Sequence, residues 1–465
     1  MTAPGTSPSS PAPEPAEPAE RDRPFEPARP FEPARPFEPA EPLGPAEPLG
    51  PAEPLGPAER SGRSAPPAAT PSPLHVAVAG GGIGGLATAL ALSRRGHRVT
   101  VLERNEDFTE LGAGIQLAPN AFHALDRLGV GADVRDLAVF IGELRLMDGT
   151  TDETITAMPL TGAYRERYGN PYAVVHRTDL YRPLLAACRA AADVELRTRA
   201  AVTGYRQDGE VAVAELAGGG RVEADALIGA DGIRSAVRAR LVGDGEPRVS
   251  GHTIYRSVIP MERVPRELRS DAVTLWAGPK WHFVHYPISG GRDLNLAATR
   301  DDGATEAVAG VPVARDLVLG AFPGLGAIAR RLLELGADWR SWVLCDRDPV
   351  DGWTDGRVAL LGDAAHPMLQ YAAQGACMAL EDAVLLGDLL DGPAAAVPAR
   401  LTAYNDARRA RTAKAQWIAR EMGRQVYHPE GVAAKERNAM LSALSADDLY
   451  RKVDWVHGAR DFTAA

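Results

Sequence analysis

The stretch that decides the fold is His75-Val-Ala-Val-Ala79, Gly80-Gly-Gly82-Ile-Gly-Gly85 and Leu86-Ala-Thr-Ala-Leu-Ala-Leu-Ser-Arg-Arg95. A short apolar run, a glycine-rich turn and an apolar helical run follow one another directly. The spacing Gly80-x-Gly82-x-x-Gly85 allows a tight turn and lets a pyrophosphate approach the positive N-terminus of the helix. This order predicts a Rossmann-like unit that binds a dinucleotide.

The next segment supplies the expected second strand and its acid. Gly96 is placed to end the helix, and Arg98-Val-Thr-Val-Leu-Glu103 is a second apolar run that ends in a carboxylate. Glu103 is therefore predicted to accept hydrogen bonds from a ribose hydroxyl. The following Arg104 is assigned to the same cofactor edge.

Two later stretches repeat the pattern of a buried strand that ends in a carboxylate. The first is Asp225-Ala-Leu-Ile-Gly-Ala-Asp231-Gly232, and the second is Arg357-Val-Ala-Leu-Leu-Gly362-Asp363. A carboxylate at the end of a strand can hold a ribose or ribitol hydroxyl. Either stretch alone is more often only a junction between a strand and a turn.

Composition separates an N-terminal tail from the rest of the chain. Residues 1–73 contain 22 of the 38 prolines, and they include three RPFEPA hexads (23–40) followed by three EPLGPA hexads (41–58). Proline at this density fixes φ and removes backbone donors, so the tail is predicted to be disordered or polyproline-like. A low-complexity extension without a specific partner is favoured over a spacer or a ligand for a proline-binding module.

The remaining 392 residues carry 50 acidic and 45 basic side chains, a net charge of −5. This balance argues against nucleic acid as the main partner. The three cysteines (Cys188, Cys345 and Cys377) form no CxxC pair, and no metal site is expected. There is no apolar run of 18 residues and no signal peptide at the N-terminus, so a cytoplasmic protein is expected.

Taken together, the glycine turn and the two strand-end motifs resemble the single-component FAD-dependent aromatic hydroxylases. The resemblance covers nearly all of residues 74–465. It implies that the glycine turn and Glu103 hold the ADP part of FAD, that Asp231 serves FAD and NAD(P)H, and that Asp363 holds the ribitol.

The resemblance also assigns residues near the flavin ring. Arg177, in His176-Arg177-Thr-Asp-Leu180, matches the family arginine that contacts the flavin, although a surface helix-starting arginine is the other interpretation. Gly114, in the loop 112–120, is expected to lie beside the isoalloxazine. Gly375 and Ala376 open a helix whose backbone N–H groups would stabilise negative charge on the reduced ring. Cys377 in that helix is interpreted as a packing residue.

A β-rich insertion over about 247–300 supplies the substrate candidates. In Trp281-His282-Phe283-Val284-His285-Tyr286-Pro287-Ile288, alternation places His282, Val284 and Tyr286 on one face. His282 and Tyr286 are then about 13 Å apart along the strand. A lone strand histidine is usually structural, and His252 with Tyr255 would be the alternative pair if the register were shifted.

Within the family, the pattern His282-x-x-x-Tyr286, Gln370 and the ending Arg420–Pro429 match the subgroup that hydroxylates 3-hydroxybenzoate. The resemblance implies His282 as a base for the phenol, and Tyr286 and Gln370 as orienting groups. Arg256 stays open as a carboxylate partner, although strand arginines are usually solvated.

The chemistry implied by the resemblance uses NADH, or NADPH, to reduce bound FAD. The reduced flavin then reacts with O2 to a C4a-hydroperoxide, which hydroxylates 3-hydroxybenzoate para to its hydroxyl and gives gentisate. Salicylate, 6-hydroxynicotinate or a larger aromatic ring are the alternative substrates. A flavoprotein without catalytic activity is the alternative outside enzymes, and a dehydrogenase without flavin would not need Gly362-Asp363.

The predicted fold class is α/β (mixed α+β), with a Rossmann-like FAD-binding domain interleaved with a β-sheet substrate domain. The expected boundaries are 1–73 for the tail, 74–246 with 346–399 for the FAD domain, 247–345 for the substrate domain, and 400–465 for a helical C-terminal region. A homodimer is expected by family analogy only.

Overall fold

The computed structural model describes residues 73–110 and 112–462. The predicted tail therefore lies, apart from residue 73, outside the described residues. The strands are β1 (His75–Ala79), β2 (Arg98–Leu102), β3 (Gly114–Leu117), β4 (Val139–Phe140), β5 (Glu143–Asp148), β6 (Thr154–Pro159), β7 (Ala173–His176), β8 (Val194–Arg197), β9 (Val202–Asp208), β10 (Val211–Leu216), β11 (Arg221–Ala224), β12 (Ala226–Gly229), β13 (Arg248–Pro260), β14 (Ala272–Gly278), β15 (Trp281–Ile288), β16 (Asp293–Asp301), β17 (Ala309–Pro312), β18 (Arg340–Asp346), β19 (Thr354–Asp355) and β20 (Val358–Leu360).

The α-helices lie between and after these strands. They are α1 (Ile83–Ser93), α2 (Pro119–Leu128), α3 (Gly131–Leu137), α4 (Ala163–Tyr168), α5 (Arg177–Ala190), α6 (Ala236–Leu241), α7 (Arg315–Gly320), α8 (Ala327–Glu334), α9 (Gly375–Leu389), α10 (Val397–Glu421), α11 (Gly431–Ser442) and α12 (Ala446–His457). A π-helical segment, Met422–Tyr427, continues α10. No helix in the described ranges is long and apolar enough to cross a membrane.

The predicted Rossmann-like unit is confirmed. A six-stranded sheet has the order β19-β20-β12-β1-β2-β8, and β1 pairs in parallel with both β2 and β12. Helix α1 connects β1 to β2 and packs against α9. The approach of these helices is close, because a Cβ built on Gly387 would lie 3.0 Å from the Cβ of Ala91.

The substrate candidates lie in a separate eight-stranded sheet of order β17-β18-β13-β16-β15-β14-β5-β6. Its back face packs Tyr255, Trp276 and Phe283 with Phe322 and Leu333 in one apolar core. Strands β5 and β6 come from the part of the chain assigned to the FAD domain, so the chain enters this sheet twice. We therefore propose the same domain boundaries, with β5 and β6 added to the substrate domain. Two three-stranded sheets, β11-β10-β9 and β3-β7-β4, complete the strands described.

A buried charge network joins α9 to α10. Arg408 donates to Glu381 (2.7 Å) and to Asp382 (2.6 Å), and Arg411 donates to Glu381 (2.8 Å). All four side chains have no solvent exposure. Asp382 also shares a 2.5 Å hydrogen bond with His366. Burial raises the pKa of Asp382, but His366 and Arg408 outweigh burial and hold it at about 2.

Replacing Arg408 by Met should lower the free energy of unfolding by about 3–5 kcal/mol, because two buried carboxylates lose a shared partner. The neighbouring Arg409, whose side chain is 47% exposed, forms loose surface pairs with Asp351 (3.7 Å) and Asp406 (3.8 Å). Arg409→Met should therefore change stability by less than about 0.5 kcal/mol. Urea unfolding of the three proteins measures both effects, and equal losses in the two variants would contradict the role given to the network.

Candidate active site

The glycine turn leaves an open cradle at the start of α1. A Cβ on Gly85 would lie 1.9 Å from the carbonyl oxygen of Gly80, so the turn closes only with glycine there. A Cβ on Gly82 would meet nothing within 4 Å. Gly82 precedes α1 and offers no side-chain cap, so the first N–H groups of the helix stay available. This geometry fits a phosphate.

Glu103 is fixed at the rim of that turn. Its Oε2 accepts from the backbone N–H of Gly81 (2.8 Å), and its Oε1 accepts from that of Asn105 (2.9 Å). The next residue, Arg104, is exposed. The carboxylate thus stands beside the cradle at the end of β2, where the sequence predicts a ribose contact.

Asp231 is engaged within the protein. Its Oδ1 accepts from the Ser235 hydroxyl (2.5 Å), and its Oδ2 accepts from the backbone N–H of Ala236 (2.8 Å) at the start of α6. Burial raises the pKa of the Asp231 carboxyl, and these hydrogen bonds oppose the shift. The backbone of Asp231 lies against Gly80, since a Cβ built on Gly80 would lie 2.9 Å from the Cα of Asp231. In this arrangement Asp231 shapes the turn beside the cradle.

The second strand-end motif faces a helix N-terminus. Gly362 has a φ of +60°, and the Asp363 that follows it is exposed. A Cβ built on Gly375 would lie 3.9 Å from Asp363 Oδ1. Gly375 and Ala376 begin α9, and Gln374 provides no side-chain cap, so free N–H groups lie next to this carboxylate. An exposed carboxylate beside uncapped N–H groups fits the ribitol and ring of FAD.

The loop that includes Gly112 and Gly114 lies between the cofactor side and the substrate sheet. Arg177 donates to Glu110 (2.5 Å), and a Cβ on Gly112 would lie 2.6 Å from the Arg177 side chain. A Cβ on Gly114 would lie 2.4 Å from the Tyr286 ring. Glycine at both positions therefore allows the loop to contact Arg177 on one side and the substrate sheet on the other.

The structure brings His282, Tyr286, Gln370 and Arg256 to the front face of the eight-stranded sheet. Alternation along β15 places His282, Val284 and Tyr286 on one face. Arg256 lies on the same face, because Arg256 and Val284 both pair with Ala297 of β16, one from each side. Arg256 donates to the Oε1 of Gln370. Burial raises the pKa of Tyr286 to about 12, with the nearby Arg256 opposing the shift.

The same face has polar atoms without partners. Asn295 pairs in register with Tyr286, and Thr299 pairs with His282. Asn295 Nδ2 and Thr299 Oγ1 are buried and make no hydrogen bond with the described residues. Arg256 has only Gln370 as a hydrogen-bond partner, and no carboxylate of the described ranges forms an ion pair with it. The back face also has unpaired buried atoms, on Thr274, Trp276 and His285. The front face is therefore distinguished by Arg256, a cation without an anion among the described residues.

His282 belongs to a cluster of histidine and tyrosine rings that sequence reasoning missed. Its Nδ1 shares a 2.8 Å hydrogen bond with His428 Nε2, and the two rings stack with centroids 5.0 Å apart. Tyr371 and Tyr427 contact the same ring. The sequence gives one signal for this cluster. Tyr371 directly follows the selected Gln370, and Tyr427 and His428 lie in the C-terminal ending that the family resemblance already includes. No group in the described ranges is arranged to hold a metal ion.

The alternative pair, His252 and Tyr255, is divided between the two faces. Tyr255 packs against Phe322 in the back core. His252 lies beside His428 and shares a 2.6 Å hydrogen bond with the hydroxyl of Tyr371. Cys377 is fully buried, and burial raises its pKa to about 12, so it is a packing thiol.

Comparisons with known proteins find similar sequences and similar folds. The family model described as FAD binding domain matches residues 73–275 and 326–417. The chain is 48% identical to 3-hydroxybenzoate 6-hydroxylase 1 of Aquipseudomonas alcaligenes over 83% of this chain and 97% of that protein. It is 34% identical to 3-amino-4-hydroxybenzoate 2-monooxygenase PtnB3 of Streptomyces platensis over 83% of this chain and 96% of that protein. A salicylate hydroxylase substrate complex superposes with a TM-score of 0.72 at 26% identity, covering 85% and 98%.

Buried histidines make stability depend on pH. Burial lowers the pKa of His285 to about 3, whereas an unfolded histidine titrates near 6.5. The unfolded chain therefore binds more protons below about pH 6.5, and stability falls as the pH falls through that range. His285→Leu should make the loss between pH 6 and pH 5 smaller by about 1.4 kcal/mol per pH unit. Urea unfolding at both pH values measures the difference, and identical slopes would contradict it.

Proposed function

This chain belongs to the FAD-binding family of flavin-dependent aromatic monooxygenases, and we propose that it converts 3-hydroxybenzoate to gentisate with NADH and O2. The relatives named 3-hydroxybenzoate 6-hydroxylase support this substrate, at 43% to 48% identity over 83% of the chain. NADPH as the reductant, a homodimer and a cytoplasmic location stay predictions.

One observation of the site carries the choice of an aromatic carboxylate. Arg256 is a partly buried guanidinium whose one hydrogen-bond partner in the described residues is the neutral amide of Gln370. Burial lowers the pKa of Arg256. A cation away from water is costly unless an anion pairs with it, and a guanidinium matches a carboxylate in shape and charge. The substrate carboxylate would supply that anion.

The base and the orienting groups follow from the same face. His282 is buried, and burial lowers the pKa of His282 well below 6.5, so its ring is neutral at working pH. Its Nε2 makes no hydrogen bond within the described ranges and is free to accept a phenolic proton. A deprotonated phenol is more electron-rich and reacts faster with an electrophilic oxygen. Tyr286 and Gln370 are assigned to orient the ring by hydrogen bonds.

FAD, when bound, supplies hydride acceptance from the nicotinamide and activation of O2. We assign the phosphates to Gly80, Gly82 and Gly85, the ribose to Glu103, the ribitol to Asp363 and the flavin ring to Gly114, Arg177, Gly375 and Ala376. The loop that contains Gly114 contacts the Tyr286 ring of the substrate sheet. The protein itself binds the anion, positions the carbon para to the hydroxyl, and takes up one proton at His282.

The direct test follows NADH oxidation by the purified, FAD-loaded protein with and without 3-hydroxybenzoate, and identifies the product by chromatography. Stimulated oxidation with formation of gentisate is expected. Salicylate and 6-hydroxynicotinate are tested in parallel, because a related fold is found in a salicylate hydroxylase. Turnover of either one without gentisate formation from 3-hydroxybenzoate would contradict the proposed substrate. Bound FAD without turnover of any of them would favour a larger aromatic substrate or a flavoprotein without catalytic activity.

Arg256→Met should weaken binding of 3-hydroxybenzoate about 10- to 150-fold, because a hydrogen bond to a charged group contributes about 1.5–3 kcal/mol. Binding of 3-hydroxybenzamide, which has no carboxylate, should change less than about threefold. Flavin absorbance titrations measure both dissociation constants.

The matched control is Arg340, which pairs in register with Arg256 and donates instead to the carbonyl oxygen of Gly310. Arg340→Met should leave both dissociation constants unchanged. Equal weakening of the acid and the amide by Arg256→Met would show that Arg256 shapes the pocket without recognising the carboxylate.

A further inference from the structure

His282 is buried on the front face, with 2% of its surface exposed. A buried base can accept a proton only if the proton can leave again, because a buried imidazolium without a carboxylate partner is costly. The proposed function assigns Nε2 of His282 to the substrate hydroxyl. The exit must therefore lie at the other nitrogen, Nδ1.

Among the described residues that nitrogen has one hydrogen-bond partner, the Nε2 of His428, at 2.8 Å. His428 is held by backbone contacts on both sides: its N–H donates to Gly423 (3.0 Å), and its carbonyl accepts from Lys280 (3.2 Å). Gly423 and His428 belong to the π-helical segment and the residue that follows it. π-Helical turns are rare and often occur at functional sites. The second nitrogen of His428, Nδ1, makes no hydrogen bond with the described residues.

His428 also borders a surface cavity of about 480 Å³. Its lining includes the exposed side chains of Lys280, Arg424 and Glu430, so water enters it freely. His428 thus touches the buried base on one side and solvent on the other. His282 itself is not among the residues that line this cavity.

We propose that His428 is a positioning and proton-relay residue, which fixes the tautomer of His282 and passes the hydroxyl proton of the bound substrate to water in this cavity. The inference rests on the proposed function, since it assumes that His282 accepts a phenolic proton. It extends that function by naming the route to solvent.

The proton balance closes with one proton moved. The substrate O–H proton bonds to His282 Nε2, the Nδ1 proton of His282 moves to His428 Nε2, and the Nδ1 proton of His428 passes to water. Each ring gains a proton on one nitrogen and loses one from the other, so both end neutral as the opposite tautomer. The reverse sequence returns the proton when the product is protonated.

The groups around His428 favour neutral rings. Burial, and then the nearby His252, lower the pKa of His428 to about 3. The remaining titratable or charged groups that face it across the cluster and the cavity are His282, Tyr371, Tyr427, Arg248, Lys280, Asp301, Arg420, Arg424 and Glu430. A neutral ring transfers a proton by exchanging tautomers and does not have to hold a buried charge.

The second route out of the cluster is interrupted. The hydroxyl of Tyr371 shares a hydrogen bond with His252 Nδ1 at 2.6 Å, and His252 also borders the cavity. However, Tyr371 meets His282 only as an edge-on ring contact, with centroids 5.2 Å apart and no hydrogen bond between them. The continuous route from His282 therefore runs through His428.

The test uses the FAD-loaded full-length protein and 3-hydroxybenzoate. Stopped-flow mixing in weak buffer with a pH indicator dye measures how fast the proton reaches solvent when the substrate binds. His428→Gln keeps a hydrogen bond to His282 but cannot exchange protons between two ring nitrogens. It should slow proton release about 10- to 100-fold, with a smaller yield of gentisate per NADH and an unchanged substrate dissociation constant.

Two further variants keep the result interpretable. His428→Ala, which leaves space beside the cavity, should be slow alone and should recover at least tenfold in proton release when imidazole is added. Arg424→Gln, on the same cavity wall, should release the proton at the wild-type rate. The gentisate yield should follow proton release in each variant.

The relay would be overturned if His428→Gln released the proton as fast as the wild-type protein. It would also be overturned if imidazole did not raise the rate of proton release in FAD-loaded His428→Ala. Failure of both His428 variants to fold or hold FAD would assign His428 a structural role and overturn it equally. A wild-type protein that neither releases a proton nor forms gentisate would contradict the proposed function itself.

Discussion

The arrangement of the cofactor side depends on the buried ion pairs between α9 and α10. Glu381 and Asp382 stand on the middle of α9, where Arg408 and Arg411 pair with them and His366 also pairs with Asp382. Asp382 also accepts from the backbone N–H of Gly362 (3.1 Å). One carboxylate therefore connects α9, α10 and the turn that presents Asp363. Because buried charges tolerate little displacement, the N-terminus of α9 is held in one position relative to Asp363.

The substrate side follows a different principle, in which one sheet packs a mainly apolar back against the core and carries Arg256, His282 and Tyr286 on its front. Four segments distant in sequence contribute to the front: β13 provides Arg256, β15 provides His282, the segment after Asp363 provides Gln370, and the π-helical turn leads to His428. The contacts between them span 114 residues for Arg256 with Gln370 and 146 for His282 with His428. The charge of the pocket is likewise divided between a fixed cation and a neutral base.

The difference between local elements and contacts of distant segments explains how much could be predicted from the sequence. The glycine turn, Glu103 at the end of β2 and the start of α9 at Gly375 follow from local rules of turn geometry and periodicity, and the structure confirms these elements. The face of β15 that carries His282 also follows from alternation. The burial of Arg256 and the bond to His428 could not be predicted, because each depends on a partner that only the tertiary fold brings near. A strand arginine and a histidine after a helix look the same in sequence whether solvated or buried.

The chemistry of the front face is decided by packing on the back. A shift of one residue along β15 would replace His282 by Phe283 and Tyr286 by Pro287 on the front face. Phe283 is fully buried in the core that includes Trp276 and Phe322, so such a shift would move a large aromatic ring out of that core and into the pocket. Full burial of a phenylalanine side chain contributes about 1.5–3 kcal/mol, and the shift would lose this at several positions together. The apolar core behind the sheet, which touches no reacting group, is therefore what sets the register that aims His282 and Tyr286 at the substrate.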